Sequence, residues 1–172
     1  MTQGKFVVFA PALLALTLAA CGGSSTPEVV YSCPQPFTVQ DAERLTHFKE
    51  GAGRDPRDIA YEASIIGSAT KCSLSRNRLD VTLYLRISVS AGPSASAGRT
   101  SVPYFVRVLD SGNNVVQSQD FSADFRLTSG NPRGSSQEEL TFVVPAEGGY
   151  RIAVGLKPTP EELNYNRRGR QP

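Results

Sequence analysis

The chain has one histidine, no tryptophan and only three cysteines among 172 residues, and these scarcities exclude much chemistry. Hydrolytic and transfer sites usually need a base that titrates near neutrality, set beside a nucleophile or a metal. His47 is the only imidazole, and its neighbours Arg44, Thr46 and Lys49 favour a solvated surface side chain. The HExxH, GxSxG and DxDxDG patterns are all missing. A metal site would have to come from carboxylates alone, either Asp55, Asp58 and Glu62 or Asp120 and Asp124. Interleaved arginines make ion pairing their cheaper fate, so neither metal nor cofactor is expected. A net charge of +2 gives no reason to invoke nucleic acid. The sequence therefore reads as a non-enzyme with no catalytic residues to name.

No apolar run is comfortably long enough to cross a bilayer, but one has the form of an export signal. Lys5 precedes Phe6 to Ala20, a stretch broken only by Pro11 and Thr17. It ends in Leu18-Ala19-Ala20-Cys21, which resembles the lipobox of bacterial lipoproteins at all four positions. That resemblance implies cleavage before Cys21, lipidation of its thiol and attachment to a membrane facing the periplasm. The alternative is a plain thiol beside an ordinary cleavage site. Several acyl chains hold a protein firmly, each buried methylene adding about 0.8 kcal/mol. Gly22 stands where inner-membrane lipoproteins often carry Asp, so the resemblance favours the outer membrane. Gly22 to Pro27 then reads as a flexible tether, and from Cys21 to Cys33 it spans at most about 40 Å.

Lipidation of Cys21 leaves Cys33 and Cys72 as an even pair in an oxidising compartment, where a mutual disulfide is expected. Closing a loop of about forty residues stabilises a fold by roughly 2 to 4 kcal/mol. A catalytic thiol or a metal ligand is the other reading, but neither cysteine has a nearby Cys or His.

The length suits one domain. Residues 1–20 read as the signal, 21–32 as the tether, 33–158 as a β-sandwich domain and 159–172 as a short helix with a basic tail. Thr38 to Phe48 is a helix candidate, with Thr38 as N-cap. From Ile59 the period becomes two: Ile59, Tyr61, Ala63 and Ile65 share a face. Leu79, Val81, Leu83, Leu85, Ile87 and Val89 then alternate with polar residues, a segregation only a strand provides. Val102 to Leu109 and Val115 to Phe125 read as a hairpin about Asp110-Ser111-Gly112-Asn113. Asn131 to Ser136 is expected to be loop, with Leu140 to Val144 and Tyr150 to Leu156 as the last strands. Thr159, Pro160 and Glu162 supply an N-cap, a first helical residue and a capping box. The helix is expected to end near Asn166, leaving Arg167, Arg168 and Arg170 in the tail. The fold class is thus all-β, an antiparallel sandwich with short helices near both ends, and a barrel is the competing closure.

Leu140 to Leu156 resembles the E and F strands of fibronectin type III and immunoglobulin-like domains. Tyr150 matches their tyrosine corner, a strand-F ring whose hydroxyl bonds upstream backbone. The usual core tryptophan is absent. The lipobox and the cysteine pair, with Gly53 to Ile59, Pro103 to Val106 and Thr159 to Arg168, together resemble uncharacterised envelope lipoproteins of alphaproteobacteria, a family that brings no activity.

Arg54, Asp55, Arg57 and Asp58 form the candidate binding loop, because alternating charge around Pro56 makes a rigid, donor-rich surface. Equally, its arginines could clamp the domain's own chain. The expectation is a membrane-anchored periplasmic module that meets an envelope protein through loops or a strand edge. The alternative is binding of a lipid, glycan or peptidoglycan fragment in an apolar or aromatic groove.

Overall fold

Leu79, Val81, Leu83, Leu85, Ile87 and Val89 of one fourteen-residue strand are each at most 2% exposed, so a second layer must cover that face. The computed structural model describes residues 31–51 and 53–168. The signal segment 1–20, Cys21 and tether residues 22–30 lie outside the described residues, as do 169–172.

Among the described residues eight strands form two sheets: β1 (Gln35–Thr38), β2 (Arg44–Phe48), β3 (Ile59–Ser75), β4 (Arg78–Ala91), β5 (Gly98–Leu109), β6 (Val115–Leu127), β7 (Arg133–Pro145) and β8 (Arg151–Leu156). One sheet runs β2-β3-β4-β7 and the other β1-β8-β5-β6. Tyr104, Val106, Val108, Ile152, Val154 and Leu156 meet the β4 residues in one shared core. Among the described residues one α-helix, α1 (Pro160–Arg168), follows.

The connectivity is that of immunoglobulin and fibronectin III sandwiches. β3 and β4 are a hairpin, β5 and β6 are a hairpin in the facing sheet, β7 returns to pair with β4, and β8 crosses to pair with β5. Those strands occupy the positions A, B, C, C′, E and F. The place of G beside F is filled by β1, which runs parallel to β8 while all other pairs are antiparallel. A four-residue parallel strand is a weak attachment. The disulfide between Cys33 and Cys72 ties its approach to β3, and Thr70 Oγ1 donates to Pro34 O at 2.8 Å.

The helix expected over Thr38 to Phe48 does not exist. Asp41, at φ 67°, turns the chain between β1 and β2 instead. A bulge in the β2–β3 pairing falls between His47 and Phe48. Leu45 joins the core shared by the two sheets, whereas Phe48, three residues on, is buried outside it, against the Tyr165 ring and under Arg54. Helices therefore do not flank both ends: near the first lies only the 3-10 turn Pro56–Asp58. A second bulge, between Ile65 and Gly67, moves β3 from odd to even inward positions, so Cys72 and Leu74 follow Ile65 on one face. β7 also begins at Arg133 rather than Leu140, because Ser135 and Arg133 continue its ladder along β4 to Ser88 and Ser90.

Candidate functional site

Within the charged loop, most polar groups bind each other. Asp55 caps the 3-10 turn by accepting from Arg57 N at 2.9 Å, and its carboxylate also takes Arg57 Nε at 2.9 Å. Arg57 thereby holds the Asp55 carboxyl below the usual carboxylate range. Arg54 lies over the Phe48 ring, 5.0 Å from its centroid. The Asp58 backbone accepts from Lys49 N, which fastens the loop to the end of β2. The loop is therefore fastened to its own domain by Arg54 and the Asp58 carbonyl, while Asp55 and Arg57 hold each other, and no group of three or more His, Cys, Asp or Glu that could hold a metal exists among the described residues.

The outer face of β2-β3-β4-β7 is different, because its groups are spread rather than paired. Register places Arg44, Ser64, Ser88 and Ser135 in one row across the four strands, and Thr46, Glu62, Ser90 and Arg133 in the next. These rows, with Asn131, line an open groove of about 800 Å³. Alternation forces the arrangement, since inward Ile87 and Val89 of β4 put Ser88 and Ser90 outward beside them. Tyr84 and Arg86 continue the same outward side along β4.

The His47 side chain is 41% exposed, as a surface histidine would be, yet it also has partners. It sits on β2, stacked on Tyr61 with ring centroids 4.7 Å apart, and its Nδ1 lies 2.8 Å from Glu162 Oε1. The Glu162 side chain is only 6% exposed. Its other oxygen accepts from Thr159 N at 2.8 Å, while Glu162 N donates to Thr159 Oγ1, which is the capping box expected from sequence. Tyr61 donates to Ser101 O at 3.3 Å, and burial, reinforced by the Glu162 charge, pushes its phenol up to about 12. Sequence pattern showed the two ends of this network separately. Nothing local indicated that residues 47 and 162 meet.

α1 lies along the outer margin of β2. Asn166 Nδ2 donates to Arg44 O at 3.1 Å, Tyr165 packs edge-on to Phe48, and Arg167 Nε reaches Asp41 Oδ2 at 3.0 Å. The helix thus runs two residues past Asn166 and uses an arginine assigned to the tail.

No family model, curated protein or solved structure matches this chain.

On the other sheet, Asp120 accepts from Lys157 and from Arg107, whose NH2 lies 2.7 Å away, and these bonds lower its carboxyl. Asp120 is thereby committed to a strap from β6 to β5 and the end of β8. Tyr150 packs half-buried against the core, as the tyrosine-corner reading requires, but its hydroxyl has no hydrogen bond among the described residues. The turn before it is instead closed by Gly148 and Gly149, both left-handed at φ 79° and 82°.

Proposed function

We propose that this chain is a lipid-anchored, non-enzymatic module of the bacterial cell envelope, held at the outer membrane through Cys21, which presents the outer face of β2-β3-β4-β7 to a protein partner. The observation that carries the reading is the open groove whose serines lie between Arg44 and Arg133. A sheet face is rigid before binding, so little entropy is lost when a partner docks on it. Docking on a strand edge has less support at β2, where α1 already takes the Arg44 carbonyl. In the charged loop, Asp55 and Arg57 already bond each other, whereas among the described residues the groove's arginines have no such bond to its serines.

A hydroxyl-rich groove also suits a glycan or peptidoglycan fragment, the second reading. A lipid finds less support, since the inter-sheet space is filled by side chains that are almost wholly buried.

The test reverses the groove's charge with Arg44→Glu and Arg133→Glu in the full-length chain, followed by crosslinking in envelopes. Loss of the crosslinked protein, with the membrane fraction unchanged, supports the proposal. Retention of the same protein by the double variant rejects the face. Capture of glycan fragments without protein favours the second reading. In the same cells Cys21→Ser should move the chain from the membrane to the soluble fraction, and continued membrane association would remove the anchor.

A further inference from the structure

A mismatch of strand lengths opens a second hollow. β5 has twelve residues, yet β8 pairs only with Tyr104 to Leu109. Gly98 to Pro103 therefore has β6 on one side and no strand on the other. In the vacated space is a cleft of about 480 Å³, bounded by His47 and Tyr61, by the loop of Ser94 to Ser96, and by Lys157 to Thr159. The loop is pinned there: Gly92 N donates to Ala60 O and Ser94 N to Ile59 O.

We propose that this cleft binds a small anionic group, a carboxylate or a phosphate, between Lys49 and Arg99. The charges in its walls are unequal in their freedom. Glu162 is the only acid lining it among the described residues, and both its oxygens are occupied, one by His47 and one by Thr159 N. Lys157 is held by Asp120. Lys49 and Arg99 line the same cleft, are exposed, and have no ion-pair partner among the described residues. The field left over is that of two cations facing one hollow, and an anion entering it gains charge-assisted bonds from both.

The backbone adds a donor. Ser101 turns its carbonyl toward the cleft, where Tyr61 takes it, and a strand residue sends its N–H to the same side as its C=O. Pro103 has no N–H, and its carbonyl is already taken by Lys157 N. Ser101 N–H is therefore a backbone donor that the strand turns toward the cleft. The volume suits a single headgroup, acid or ester rather than a second folded chain.

The only histidine of the chain lines this cleft, so one imidazole signal reports on it. The full domain is titrated with inorganic phosphate and, separately, with acetate, at constant ionic strength made up with sodium chloride, and the His47 ring resonances are followed by NMR. Saturable movement with either anion is expected. Phosphate alone would point to a phosphate ester as the natural source, and acetate alone to a carboxylated polymer. The variant Lys49→Gln/Arg99→Gln should weaken the response at least roughly tenfold, the loss expected when charged hydrogen bonds are removed. The control Arg54→Gln/Arg57→Gln should bind as the parent does. If neither anion moves the resonance, or if the Lys49/Arg99 variant responds like the parent, the proposal fails.

Discussion

Tyr61 and Tyr104 are side chains whose chemistry burial has changed most. Both phenols resist ionisation: burial raises Tyr61 from 10.0 to about 12, and burial with Glu138 nearby raises Tyr104 further. Below pH 10 both folded and unfolded chains keep these protons, so the groups make no pH-dependent difference. Above it the unfolded chain releases them while the folded chain holds them, and the folded state loses stability as pH rises. For Tyr61 that window runs from pH 10 to about 12. Urea midpoints should therefore fall across it, and Tyr61→Phe should fall less steeply than the parent. Equal slopes for the two would show that Tyr61 ionises as freely in the folded chain as in water. A different close fit sits at Gly92, where a Cβ would stand 2.2 Å from Ile59 O. In the sequence Gly92 is simply part of a Gly, Ser and Pro loop. The approach that makes a side chain impossible belongs to a residue thirty-three positions earlier, and no local pattern carries it.

At the scale of elements, legibility followed the range of the interactions that build each one. β4 was plain from Leu79 to Val89, because alternation is a property of the strand itself and the core has only to accept it. The capping box of Thr159 and Glu162 was equally plain, being complete within four residues. Thr38 to Phe48 misled because Thr38 fits an N-cap and Leu45 and Phe48 stand three apart, yet Leu45 is buried in the inter-sheet core and Phe48 against Tyr165 and Arg54, contacts made by residues far along the chain or in the next loop. The bulge that turns β3 over at Ile65 is likewise set by the partner strand's register. The tyrosine corner was read from seventeen residues; the Tyr150 ring is half-buried against the core, but its hydroxyl makes no hydrogen bond to backbone among the described residues, and the turn before it is shaped by two left-handed glycines. The candidate loop was recognisable as rigid, while its target, the Phe48 ring, was not.

α1 offers a test at this scale. Its first turn depends on Glu162, which caps the helix and also meets His47 on β2. Glu162→Ala removes both attachments and should cost about 1 to 3 kcal/mol, from a lost cap and a lost bond to a charged group. Hydrogen exchange should accelerate across α1 and along β2, while the β4 amides remain protected, since the core does not rest on the helix. Unchanged protection of α1 would mean that Tyr165, Asn166 and Arg167 hold the helix alone.

For the molecule as a whole, the notable substitution is β1 in the position where a sandwich of this strand order places its last strand. Chain that continues after β8 is used for α1 instead, so the F edge is closed by a segment from the beginning of the domain. Four parallel residue pairs would close it weakly, and two attachments reinforce them. Downstream, Val39 N reaches Val154 O and Leu156 N reaches Ala42 O, extending the ladder past β1. Upstream, the disulfide joins residues 39 positions apart and connects this edge of one sheet to β3 of the other. Removing it with Cys33→Ala/Cys72→Ala should lower stability by roughly 2 to 4 kcal/mol, the range for a loop of that length. The loss should be uneven: exchange should quicken first at β1 and at the β8 amides that face it, because those pairs have the fewest other supports. Addition of reductant to the parent should reproduce the double variant. If reduction left the urea midpoint and the β1 exchange unchanged, the edge would be held by its backbone ladder, and the covalent link would contribute nothing to closing the sandwich.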